Sequence, residues 1–161
     1  MSATYQFSES NGVGEVVTDG VANYNMGDND SVNLNPANYP VAAGNNAYEK
    51  YIRAKFSGVF TEISNMKFWK SGGALKTGEA IKAAANQVYA QPVNTTSIVA
   101  TSDIPVTQGT ALVILSDLGN ATITVTDTGY TGYIVMQLQT TIATPGGSLN
   151  QKELSFQYDE V

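Results

Sequence analysis

The residues best suited to chemistry are the acids in the run Gly27, Asp28, Asn29, Asp30 and Ser31. Carboxylate and amide oxygens at this spacing suit a hard cation such as Ca²⁺. The run lacks the later bidentate glutamate that completes a calcium loop. The same residue types also build solvated turns by bonding their own backbone, so no metal or other cofactor is predicted. The chain has no cysteine and no histidine. Thiolate and imidazole ligands, and Ser-His or Cys-His nucleophiles, are thereby excluded. A hydrolase built on paired carboxylates needs two acids flanking a cleft, and the spacing of the 14 acids singles out no pair. No catalytic residue is predicted, and the chain reads as non-enzymatic. Trp69, Tyr51 and Tyr48 are of the type that stacks on sugar rings, although aromatics in strands more often fill a core.

Charge is distributed unevenly. Lys50, Arg53, Lys55, Lys67, Lys70, Lys76 and Lys82 fall within residues 50–82, opposed there only by Glu62 and Glu79. Residues 1–49 carry acids and no base. Arg53, Lys55, Lys67 and Lys70 are therefore the expected partner-contact residues, on a basic strand face that meets an acidic surface. Complementary patches of this kind steer association and set register. A net charge of −6 argues against nucleic acid as the partner.

The elements that must position these residues read as strands. Tyr48, Ile52, Ala54 and Phe56 alternate with Glu49, Tyr51, Arg53 and Lys55, the pattern of a half-buried antiparallel strand with a charged outer face. Met66 and Phe68 alternate with Lys67 and Trp69 up to a turn at Ser71, Gly72 and Gly73. Residues 3–8, 15–18, 21–26, 96–100, 111–115 and 121–126 also read as strands, the last with Ile123 and Val125 inward. Residues 27–46 form a long loop with a possible strand at 32–34. Residues 77–91 fit helical spacing or an extended segment, and the β context favours extended. Two alternating runs, 134–139 and 154–158, flank a Pro-Gly-Gly loop and read as a hairpin. Residues 127–133 have the layout of a tyrosine corner, with Tyr133 as the corner residue.

Counting these segments predicts an all-β, antiparallel β-sandwich, immunoglobulin-like or jelly-roll, of roughly eight to nine strands. No linker breaks residues 1–161, so one domain is expected. The opening MSATYQFSES is not a basic segment followed by an apolar run. No apolar stretch approaches the roughly 20 residues of a membrane span. Neither a secretory leader nor membrane insertion is predicted. At 42% hydrophobic and 14% charged the composition is that of a folded chain.

The blocks YEKYIRAKFSGVFTEISNMKFWKSGG, TTSIVATSDIP, GYIVMQLQTT and LSFQYDEV together resemble small cysteine-free structural proteins of tailed-bacteriophage virions. The resemblance spans roughly two thirds of the chain, from about residue 15 onward with gaps. It implies a sandwich that decorates or cements a capsid by binding neighbouring subunits, without an active site. The implied partners are the major capsid protein or other virion proteins, in a homo-oligomer, and the implied location is the virion. A glycan-binding module of a tail or head fibre is the alternative. The N-terminal segment and the 27–46 loop are the expected grips on neighbours, through backbone pairing.

Overall fold

A computed structural model describes residues 2–147 and 150–161. Among these residues ten strands follow in chain order. They are β1 (Ala3–Asn11), β2 (Val16–Asp19), β3 (Lys50–Gly58), β4 (Glu62–Gly72) and β5 (Glu79–Asn86). Then come β6 (Ser102–Asp103), β7 (Leu112–Val113), β8 (Ile123–Thr124), β9 (Tyr133–Thr140) and β10 (Glu153–Glu160). A six-stranded sheet runs β2-β1-β3-β9-β5-β6, and a smaller sheet runs β10-β4-β7 with β8 also on β4. All the strand pairs are antiparallel. The fold is thus an all-β sandwich, as the alternation predicted.

Register explains the core. Tyr5 lies opposite Phe56, Phe7 opposite Ala54 and Glu9 opposite Ile52. These side chains share the face that looks toward the smaller sheet. Ile52, Ala54 and Phe56 of β3 join Ile63, Met66 and Phe68 of β4 in one buried cluster with Ile81, Ile134 and Met136. The inward residues read from β3 and β4 are therefore correct except Tyr48, which precedes β3, is half-buried and donates its hydroxyl to the Val93 carbonyl at 3.4 Å. In β5, Ile81 and Ala83 alternate inward, which resolves residues 77–91 as extended. Helical spacing is lost there because β9 pairs with every residue from Glu79 to Asn86.

The outer face of the six-stranded sheet departs from expectation. Tyr51, Tyr133, Val135 and Ala100 form a second buried cluster, with Tyr89 and Val99 packed on it. The segment 87–101 lies over this face as a partial third layer. Burial therefore runs unbroken from Tyr133 to Leu138, on both sides of β9. The predicted solvated face of β3 is covered: Glu49 is 2% exposed and Tyr51 1%.

Glu49 also explains why residues 96–100 are not a strand. Its Oε1 accepts the amide N–H groups of Ile98, Val99 and Ala100 at 2.9, 2.7 and 2.7 Å. Those donors are satisfied by a carboxylate instead of a ladder. Residues 21–26 and 32–34 likewise form no strand. Leu34 is instead buried as an anchor of the long loop. The run 111–115 shrinks to β7, and Val125 is exposed while Ile123 is buried.

The predicted hairpin of the last two runs does not form. β9 belongs to the six-stranded sheet and β10 pairs with β4 in the other. In a sandwich both strands turn an apolar face to the same core, so their alternation looks the same whether or not they pair. Part of the intervening loop, residues 148–149, lies outside the described residues.

Candidate functional site

The predicted contact residues fall on separate surfaces. Arg53 and Lys55 lie on the outer face of β3, Lys67 on the outer face of β4, and Lys70 alternates to the opposite side of β4. The structure does not gather them into one basic face. Two of the four are matched within the chain. The Arg53 guanidinium lies 3.5 Å from Glu15 and stacks over Tyr130 and Tyr133, at 4.2 and 4.9 Å from the ring centres. Lys55 Nζ lies 2.5 Å from Asp19 Oδ2. Lys70 Nζ donates to the carbonyls of Gly72 and Gly73 at 3.2 and 2.8 Å. Lys67 sits in mid-strand, opposite Val113 and Gln157.

The acids of the β1–β2 hairpin therefore clamp β3. Glu15 adopts φ 59°, an unusual value for a residue with a side chain. Its carboxylate accepts the hydroxyls of Ser10, at 2.9 Å, and Tyr133. Tyr133 thus clamps a side chain and does not form the predicted corner with upstream backbone. Asp19 accepts from Ser8 Oγ at 2.6 Å and from the Tyr130 hydroxyl at 3.0 Å. The Lys55 ammonium, and next the Ser8 hydroxyl, hold the Asp19 carboxyl below its ordinary value, against the opposing effect of burial. The same contact raises Lys55. Burial pushes the Tyr51 hydroxyl up to about 12, helped by the charge of Glu49. It also raises Tyr133, where the bond to Glu15 adds to it.

The candidate cation loop is used structurally. Asp30 accepts from Asn11 Nδ2 and from the Gly12 amide, both at 2.8 Å. These bonds dock the loop over a buried ion pair, Glu9 with Lys50, at 2.5 Å. Among the described residues no three acids gather in a metal-holding group. The aromatic platform is not assembled either. Tyr51 is buried on the six-stranded sheet, whereas Trp69 is half-buried on β4 of the other.

The feature missed from the sequence is a groove. The smaller sheet does not reach across the β5–β9 end of the larger one. A cavity of about 980 Å³ opens there. It is lined by residues 22–26, parts of the 36–43 loop, residues 144–147 and 150–152, and Leu154, above Ile81, Met136 and Leu138, which are themselves buried in the core. The Glu79–Lys152 ion pair, at 2.9 Å, lines one end. Tyr24, Met26 and Val41 were the available signal: apolar residues in segments otherwise rich in Asn, Pro and Gly, packed against the core.

Beside the groove lies a row of aromatic rings. Tyr5 packs on Phe7, Phe56, Phe156 and Tyr158 with ring centres 5.5 to 5.9 Å apart. It still leaves 42% of its surface exposed. β10 pairs with β4 along one edge, and among the described residues no strand pairs with its other edge. Among the described residues five ion pairs set a cation against an acid. That arrangement neutralises charge and ties strands and loops together. The groove and the open edge are what the surface offers to another molecule. No protein-family model matches the chain, and no curated protein or solved structure does either.

Proposed function

We propose that this chain is a non-enzymatic structural protein that works by contact, as a decoration or cement protein of a phage capsid. The observation that supports contact is the flank just described: a largely apolar groove, an aromatic row of which Tyr5 is exposed, and, among the described residues, an unpaired strand edge. Apolar surface of this kind marks interaction sites. The virion assignment rests on the resemblance of residues 48–73, 95–105 and the C-terminal strands. In this reading the partners are the major capsid protein or other virion proteins, and the chain resides in the virion.

Sedimentation with capsid shells that lack the chain tests this reading. Stoichiometric, saturable co-sedimentation is expected. A folded protein that stays in the supernatant at all shell concentrations contradicts it. Charge reversal at Arg53 or Lys55 is a poor probe, because each holds an acid of the β1–β2 hairpin. Lys67→Glu tests the basic contact more cleanly.

A further inference from the structure

We propose that this chain closes an intramolecular isopeptide bond between Lys50 and Asn11, with Glu9 carrying the protons and ammonia leaving. The site is a cluster of three side chains within the sandwich, and it does not depend on the contact reading above. The β1–β3 register runs as far as Ser10 opposite Tyr51. Its next step sets Asn11, the last residue of β1, against Lys50, the first of β3. Side chains directly opposite in an antiparallel pair start about 4.5–5.5 Å apart. Glu9 lies two residues back along β1, on the same face. Its Oε1 accepts from Lys50 Nζ at 2.5 Å and from Asn11 Nδ2 at 2.9 Å. One carboxylate oxygen thus holds the amine and the carboxamide together. Glu9 and Lys50 are both buried, so bulk water does not compete with them.

The carboxamide is held in one orientation. Asn11 Nδ2 also donates to Asp30 Oδ1 at 2.8 Å. Turned round, it would set its oxygen against two carboxylates. Asn11 Oδ1 and Glu9 Oε2 are buried and, among the described residues, have no hydrogen-bond partner. Both are acceptors while Glu9 is ionised, and a proton on Glu9 supplies the missing donor. The step balances without an oxidant. Lys50 Nζ passes a proton to Glu9, since burial away from water disfavours the ionised forms. The freed amine attacks Asn11 Cγ. A second proton moves from Nζ by way of Glu9 to Nδ2. The Nζ–Cγ bond forms, the Cγ–Nδ2 bond breaks, and Nδ2 leaves as ammonia. Glu9 keeps the first proton. An Asn-Gly pair has a rival reaction, attack by the glycine nitrogen to give a succinimide, which also releases ammonia. Here the Gly12 N–H is engaged by Asp30 Oδ2 at 2.8 Å.

Tryptic digestion of the full chain, unfolded in urea, tests the bond. Residues 1–49 contain no lysine or arginine, so trypsin first cuts the unlinked chain after Lys50. An acylated lysine is not cut. The first peptide is expected to end at Arg53 and to weigh less than its sequence by one molecule of ammonia. The intact chain should show the same loss in most molecules. Glu9→Gln and Asn11→Ala should each return the full mass and the cut after Lys50. A wild-type chain of full mass that is cut after Lys50 overturns the proposal. So does loss of ammonia with the cut retained, which marks the succinimide. A link that forms undiminished in Glu9→Gln also overturns it, because the proton carrier is then unnecessary. The wild-type digest decides between link and no link even where a variant fails to fold.

Discussion

Lys50 enters the core-facing side of the sandwich because Glu9 waits there, with side-chain exposures of 5% and 0%. A buried pair of this kind gives little net stability, but losing one partner strands a charge. Lys50→Met is expected to cost about 3–5 kcal/mol in denaturant unfolding, with part recovered when Glu9→Met is added. The tyrosines of the outer face make a second prediction. Tyr51 is raised from 10.0 to about 12, and Tyr89 and Tyr133 are raised further. Below pH 10 folded and unfolded chains hold these protons alike. Above it the unfolded chain releases them first, so the stabilisation of the fold falls as pH rises from 10 through about 12. The melting temperature should drop across that window, with tyrosinate absorbance rising together with unfolding. At this scale the sequence was half legible. Parity placed Ile52, Phe56, Met66 and Phe68 in the core, and they are there. Parity also sent Glu49, Arg53 and Tyr51 to solvent. Charge on a strand marks a polar environment, and acids and hydroxyls supplied by distant chain are polar too.

Among the elements, the segment 87–101 decides how the larger sheet is finished. Its strand-like run at 96–100 misleads, because the amides of Ile98, Val99 and Ala100 are satisfied by one carboxylate instead of a neighbouring strand. Glu49→Ala should cost about 2–3 kcal/mol, since these hydrogen bonds are made to a charged group. Hydrogen exchange at Ile98, Val99 and Ala100 should accelerate while β4 amides keep their protection. Glu49→Gln, which keeps an acceptor, should restore part of both. Uniform acceleration across β4 as well would show that the segment is integral to the sandwich and no separate layer. Strand existence was legible for β1, β3, β4, β9 and β10, where alternation is long. Pairing was not. β9 and β10 show the same alternation as a hairpin, and only the sheet each joins separates the two cases.

For the whole molecule, the two sheets are unequal, and their mismatch creates the groove. The larger sheet ends in short strands, β2 and β6, whose limited length leaves little edge to pair. β10 is different: it spans Glu153–Glu160 and stands at the rim of an apolar cavity. Its acids and the two irregularities in its pairing keep like strands away. Neither the cavity nor the edge has a local sequence signature, because each results from what fails to lie above a strand. The central claim is that partners are met on this flank. A density map of capsid shells carrying the bound protein tests it most directly. Partner density is expected on this flank, over the exposed ring of Tyr5 and along the β10 edge. Partner contacts confined to the outer faces, around Arg53 and Lys55 or around Lys67, with the β10 edge left bare, would contradict it.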